Sequence, residues 1–308
     1  MRDLRTDLRE YIELRRALGY KLRKHEARLR EFIAFLETKR TDYITAKLAI
    51  GWASESSNGH SYSGFERLSF IRSFATHLSA MDPRTEIPPT GSIRRPPTDL
   101  RPYIYTQQEI GRLMAAARKL ASPRKLRCHT YYHLIGLLAT TGMRSGEAVR
   151  LANSDVNFAD GLITIRKSKF GKSRVIPIHA TTARALAAYK ARRDAFLKRA
   201  VAPSFFISEH GGPISNVQQT FREIRLAAGL EQAGNGTRPR MHDLRHTFAV
   251  HTLVAWYRRG ADVERQLPIL STFLGHSQVE NTYWYLSATP ELLGEACERL
   301  EKRWRHSQ

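Results

Sequence analysis

Apolar residues recur every three or four positions through most of the first eighty residues, the period of a helix with one face buried. Leu4, Leu8, Tyr11, Ile12 and Leu14 form one stripe, and Leu29, Phe32, Ile33, Phe35 and Leu36 form a second. A third helix is expected over Thr45–Ser54, opened by the Thr45 hydroxyl and carrying Leu48, Ile50 and Trp52. A fourth is expected over Gly64–Ala80, with Phe65, Leu68, Ile71, Phe74 and Leu78 inward. From Met81 to Tyr105 the period is lost, and Asp82-Pro83, Pro88-Pro89, Gly91 and Pro96-Pro97 favour extended backbone. The pattern therefore predicts a helical domain over 1–85, a linker over 86–105 and a second domain over 106–308.

The second domain mixes two periods. Thr106-Gln107-Gln108-Glu109 has the form of a capping box, followed by Ile110, Leu113, Met114 and Ala117 at helical spacing. Further helices are expected over Arg127–Thr140, Ser145–Ala152 and Ala180–Arg199. Between the last two, Gly161–Arg166 and Ser173–Ile178 alternate as paired strands around Phe170-Gly171. Ser204–Ser208 reads as a short extended piece before the turn Glu209-His210-Gly211-Gly212, and helices resume from Val217. The expected fold is mainly α with a small antiparallel β-sheet.

Charge narrows the function. The 308 residues carry 50 Lys and Arg against 29 Asp and Glu, a formal net charge of +21. Up to residue 105 there are 19 basic and 13 acidic side chains, and beyond it 31 and 16, so both parts are basic. Such a chain attracts polyanions, of which a nucleic-acid backbone is the usual one; a ribosome-associated protein and a membrane-surface binder are the blander readings. No apolar run approaches the ~18–20 residues of a membrane span. Met1-Arg2-Asp3-Leu4-Arg5 runs straight into a charged helical pattern, so a cytoplasmic protein with no membrane partner is expected. Cys128 and Cys297 are the two cysteines and lack metal-ligand spacing.

Four short segments of the second domain carry candidate chemistry. They are Thr140-Thr141-Gly142-Met143-Arg144-Ser145-Gly146-Glu147; Lys167-Ser168-Lys169-Phe170-Gly171-Lys172-Ser173-Arg174, with Pro177 eight residues beyond Lys169; His242-Asp243-Leu244-Arg245-His246; and Leu274-Gly275-His276, followed nine residues on by Tyr285. In order and spacing this set resembles the tyrosine recombinase family, which includes phage integrases and Xer-type recombinases. The N-terminal helices are similar to that family's core-binding (SAM-like) DNA-binding domain, so the resemblance covers nearly the whole chain.

The resemblance implies a site-specific recombinase that cuts and rejoins DNA through a 3′-phosphotyrosyl link at Tyr285. The residue types suit that reaction. Attack on a phosphodiester builds charge on its non-bridging oxygens, and an arginine fork matches such oxygens while staying protonated. Arg144 and Arg245 would clamp the phosphate. His242, three residues before Arg245 on the same helix face, would donate to a phosphate oxygen or help take the tyrosine proton. His276 would donate to the other non-bridging oxygen. Lys169 matches the family's general acid for the leaving 5′-oxygen, and Glu147 its acidic position, orienting cations rather than moving protons. Lys172 and Arg174 are expected to contact DNA. Tyr283 competes with Tyr285 as nucleophile, but the interval from His276 selects Tyr285. His246 is expected to be structural and Trp284 to lie in the core.

No cofactor or metal is expected, because the phosphotyrosyl link retains the energy of the broken ester and the chain has no P-loop or convincing carboxylate pair. The partners implied are double-stranded DNA bearing recombination sites and further copies of the chain, a tetramer in the synaptic complex, with a second recombinase beside it as an open alternative. The amphipathic tail from Pro290 to Gln308 would be exchanged between protomers. Two other functions stay open: relaxation of DNA in the manner of a type IB topoisomerase, and DNA binding without catalysis.

Overall fold

In the computed structural model the chain forms two compact units, Met1–Asp99 and Leu100–Gln308. The structure describes residues 3–55, 61–95, 102–166, 173–198, 202–231, 238–276 and 278–287, with positions 294, 297 and 298 beyond them. Among the described residues no helix is long and apolar enough to cross a membrane.

Among the described residues the first unit has four helices, α1 (Leu4–Ala17), α2 (Arg23–Thr38), α3 (Ala46–Glu55) and α4 (Ser61–Ser79). The Asp3 side chain caps α1 by accepting from the Arg5 amide, and the Thr45 hydroxyl accepts from the Leu48 amide at the start of α3. Leu8, Ile12, Leu29, Phe32, Ile33, Leu36, Trp52, Ile71, Phe74 and Leu78 share one apolar core. Leu14 does not join it and is exposed, because it lies roughly 100° around α1 from the middle of the buried stripe.

The stretch 86–105, expected as linker, is held at both ends. The Glu86 amide donates to the Ile44 carbonyl, and its carboxylate accepts from the Ala46 amide to cap α3. Arg72 on α4 donates to the carbonyls of Pro88 and Pro89. Prolines lack an amide proton but keep a carbonyl acceptor, so a proline-rich strand can be fastened by a neighbouring arginine. At the other end Tyr105 is buried in the second unit, its amide donating to the Thr247 hydroxyl and its own hydroxyl to the Arg240 carbonyl.

The second unit runs α5 (Gln107–Arg118), α6 (Arg127–Thr141), α7 (Ser145–Val149), β1 (Val156–Asn157), β2 (Leu162–Ile165), β3 (Arg174–Pro177), α8 (Ala180–Leu197), α9 (Val217–Ala227), α10 (Asp243–Arg258), α11 (Val263–Leu274) and α12 (Glu280–Tyr283). A tight helical turn over Trp284–Ser287 follows α12. Thr106 and Glu109 form the expected capping box on α5. The strands make one antiparallel sheet in the order β1-β2-β3, with Ile163 opposite both Val156 and Ile176. Helix α6 buries Leu134, Ile135, Leu137 and Leu138 in the main core, while α10 and α11 close a second apolar cluster that includes Tyr285. The architecture is mainly helical with a small antiparallel sheet, as expected. α7 is shorter than predicted, and Ser204–Ser208, expected as a short extended piece, contributes isolated bridges from Ser204 to Ala152 and from Ile207 to Pro213.

Candidate active site

The site begins where α6 ends. Gly142 adopts a left-handed backbone (φ +58°), and a Cβ there would meet the Phe248 ring at 2.5 Å, so glycine is required both by conformation and by space. The turn delivers Arg144 to the first residue before α7. From there its Nη1 donates to Glu147 Oε1 (2.8 Å) and its Nη2 to the Gly275 carbonyl (2.7 Å). Gly275 ends α11 in the same left-handed conformation (φ +72°), with the Arg174 guanidinium 2.6 Å from where a Cβ would stand. One arginine thus ties the α6–α7 turn to the turn that presents His276.

Glu147 is the hub of this arrangement. Arg174, on β3, grips its carboxylate with Nη1 (3.0 Å) and Nη2 (2.7 Å), and donates through Nε to the Phe273 carbonyl (2.9 Å). Burial alone would raise the Glu147 pKa, but the Arg174 fork and its charge, with Arg144 behind them, hold it at about 2. Arg174, expected at the DNA, has its guanidinium engaged by Glu147 and by the end of α11. The β-sheet, the first catalytic-type arginine and the His276 turn are joined through one carboxylate.

Helix α10 supplies the second arginine. Asp243 at its start accepts from the Arg240 amide (2.7 Å) and guanidinium (2.9 Å), which fixes the turn that carries His242. Arg245, buried, donates Nη1 to the Gly142 carbonyl (3.0 Å), while its Nη2 is buried without a hydrogen-bond partner among the described residues. Burial, then the charge of Arg144, lowers the Arg245 pKa to about 10. An orphaned buried N–H beside a second guanidinium is costly unless an anion completes it.

Three imidazoles and a phenol share the space around these cations. His276 Nδ1 pairs with the Thr282 hydroxyl (2.7 Å), which leaves Nε2 as the nitrogen for a ligand, and its ring stacks on Tyr285 at 6.1 Å. Burial, followed by the charges of Arg245, Arg144 and Arg174, pushes the His276 pKa down to about 4. His242 packs edge-on against His246 (5.0 Å). Although the side chain opens to solvent, the protein packed around it and then the Arg245 charge lower its pKa as well. Tyr285 is 2% exposed, and its hydroxyl lies 3.0 Å from His246 Nδ1. Burial raises the phenol pKa, while the charge of Arg245, hydrogen bonding from its side chain and then the charge of Arg144 pull it the other way.

Arg144, Glu147, His242, Arg245, His276 and Tyr285 are therefore brought together within one unit. Lys169 and Lys172 lie outside the described residues. Around Tyr285 the chain makes a helical turn in which Thr282 and Tyr285, three apart, face inward. Tyr283 (48% exposed) and Trp284 (45% exposed) face outward, so Trp284 does not lie in the core as expected. His246 is the residue whose place sequence reading missed. It follows His242 by four positions on α10, a spacing that puts both rings on one face. Among the described residues no three metal-type ligands converge.

Residues 104–291 match the model of the phage integrase family. The whole chain is 45% identical over 310 aligned residues to the "Putative integrase/recombinase y4rB" of Sinorhizobium fredii, covering 99% of each. The chain belongs to the phage integrase family. It is an enzyme of the integrase and recombinase class, within the tyrosine recombinases. The tyrosine recombinase XerD of Staphylococcus saprophyticus is 28% identical over 288 residues, covering 90% of each chain. In fold, a lambda integrase tetramer bound to a Holliday junction superposes with a TM-score of 0.63 at 20% identity, over 92% of this chain and 76% of that one.

Chemically, the integrase site is a cluster of cations with hydrogen-bond donors suited to an anion. Each guanidinium has five N–H donors in one plane. Arg144 uses one nitrogen on Glu147 and one on Gly275, and Arg245 keeps Nη2 in reserve. A tetrahedral oxyanion entering beside Tyr285 would meet donors on several sides, already held in place by Glu147 and the two glycine turns.

Proposed function

We propose that this integrase cuts and rejoins DNA at specific sites through a covalent bond between the Tyr285 oxygen and a 3′-phosphate. The observation that carries the reading is the buried, unpartnered Nη2 of Arg245, beside Arg144 and next to the one deeply buried phenol of the site. In the proposed reaction Arg144, Arg245, His242 and His276 Nε2 donate to the non-bridging oxygens. The tyrosine oxygen forms a bond to phosphorus as the bond from phosphorus to the 5′-oxygen breaks. Lys169 is assigned to protonate that leaving oxygen, on its place in the motif. Attack by a 5′-hydroxyl on the phosphotyrosyl bond reverses the sequence and rejoins strands without an external energy source. Glu147 and Arg174 act as positioning residues.

On the partners, the likeness to a recombinase solved as a tetramer on a Holliday junction supports double-stranded DNA and four copies of this chain in the working complex. The basic helical unit at the N-terminus, residues 1–85, is assigned to core-site binding, with Lys172 as a further DNA contact. Exchange of the tail Pro290–Gln308 between protomers belongs to the same proposal.

The test is covalent capture. A random-sequence pool of duplexes, each nicked near its centre so that the cleaved end diffuses away, is incubated with the protein and extracted with detergent. Wild type is expected to retain a selected sequence covalently, and Tyr285→Phe to bind the same duplex without retaining it. Absence of any adduct from wild type would favour the binding module. Relaxation of supercoiled plasmids lacking the selected sequence would favour the topoisomerase.

A further inference from the structure

We propose that His246 is the proton acceptor for Tyr285: its Nδ1 takes the phenol proton as the tyrosine oxygen bonds to phosphorus, and returns it when the strand is rejoined. The role rests on the proposed attack by Tyr285 and assigns the one proton which that attack leaves unassigned.

Geometry singles out this histidine among three. His246 Nδ1 stands 3.0 Å from the phenol oxygen, with ring centres 5.5 Å apart and the rings tilted by 56°, so that the imidazole edge meets the hydroxyl. His276 presents its face to the Tyr285 ring, and its Nδ1 is engaged by Thr282. His242 packs one ring further out, against His246. The direction of the hydrogen bond follows from charge. The phenol oxygen lies in the field of Arg245 and Arg144; its lone pairs turn toward those cations, and its proton turns toward a neutral imidazole nitrogen.

The ring is kept ready to accept. The groups facing it are His242, Arg240 and Arg245 from α10 and the turn before it, His276 from the end of α11, and the Tyr285 phenol. Burial, then the charges of His242, Arg240, Arg245 and His276, hold its pKa at about 3, so the nitrogen is unprotonated at neutral pH. An imidazole so depressed is a weak base while the site is empty. The scissile phosphate brings negative charge against the same arginines, offsets their field and raises the proton affinity of His246. The base thus strengthens as substrate arrives, and the phenol stays protonated until then.

The test uses the duplex captured on wild type. His246→Asn keeps an amide near the Nδ1 position and still hydrogen-bonds the phenol, but cannot take a proton. The expected result is a loss of adduct-formation rate of roughly 10²–10⁴-fold, with DNA affinity unchanged. A 5′-bridging sulfur, which leaves without a proton, leaves that deficit in place; difluorotyrosine at position 285, a more acidic phenol, recovers part of it. A His246→Asn rate equal to wild type, or full recovery with the sulfur substrate, would overturn the assignment. If His246→Asn no longer binds the duplex, His246→Gln is read against the same outcomes. Failure of wild type to form an adduct would instead overturn the covalent reading itself.

Discussion

The two units of this integrase put charge to different uses. In the first, the helices share an apolar core and the cations of its ion pairs stay exposed: Arg5 with Glu37, Arg28 with Glu31, Arg30 with Glu26, and Lys24 with Glu66. Asp7 and Asp82 are buried there as well, and Arg15 and Arg67, each with one buried nitrogen lacking a hydrogen-bond partner among the described residues, lie over the Tyr20 and Trp52 rings. In the second, ion pairs go inside. Glu147 is 3% exposed at its side chain between Arg144 and Arg174, Asp243 is fully buried, and Arg245 is buried with one nitrogen unpartnered. A surface ion pair contributes little in water, and a buried one is not the cheapest way to stabilise a fold. The second unit therefore carries an arrangement that stability alone does not select. It holds cations rigid and partly dry, as an anion receptor must.

The contrast is sharpened most by removing one carboxylate. Glu147→Gln leaves two partly buried guanidinium groups without their counter-charge, and is expected to destabilise the second unit by about 3–5 kcal/mol. Leu36→Ala should cost the first unit about 2–5 kcal/mol through lost packing alone. Hydrogen–deuterium exchange separates the two. The Glu147 variant should lose protection in α6, α7 and β3 together, and the Leu36 variant in α1, α2 and α4. Protection unchanged around α7 in Glu147→Gln would show that the carboxylate does not join the three elements.

A smaller effect is expected from acid, and it should differ between the units. His276 and His246 are depressed in the folded chain, from the usual 6.5 to about 4 and about 3, so the unfolded chain binds more protons below 6.5. Their contribution is present in full above that pH and is lost as pH falls toward those values. Glu147 adds a loss between its ordinary 4.5 and about 2. Protection in α10 and α11 should thus decline from about pH 6.5 downward, ahead of α1 and α2. Equal decline in both units would contradict the buried-charge account. The smallest effect belongs to Glu37→Gln, which should leave the unfolding midpoint of the first unit unchanged, since both partners of that pair are solvated.

Sequence patterns made the first unit readable and the second only partly so, for the same reason. Where burial follows helix period, stripes such as Leu29, Phe32, Ile33 and Leu36 mark the core directly. The capping box at Thr106 and Glu109 and the glycine that ends α6 were equally plain, because local hydrogen bonding and backbone sterics demand those residue types. Strand β1 is two residues long and has no period to detect. Arg174 reads as one more basic residue on a hairpin, and only the fold brings Glu147 against it across 27 positions. Trp284 reads as core by its hydrophobicity, but the turn that faces Thr282 and Tyr285 inward leaves it outside. The stretch after Met81 reads as a linker, and its prolines give no sign of the arginine that fastens their carbonyls.

The phenol oxygen that becomes attached to DNA identifies the nucleophile. Wild-type adduct, digested with protease and nuclease and sequenced by mass spectrometry, should carry the nucleotide on Tyr285 through a 3′-phosphate, with Tyr283 unmodified. A nucleotide on Tyr283, or adduct formed undiminished by Tyr285→Phe, would contradict it.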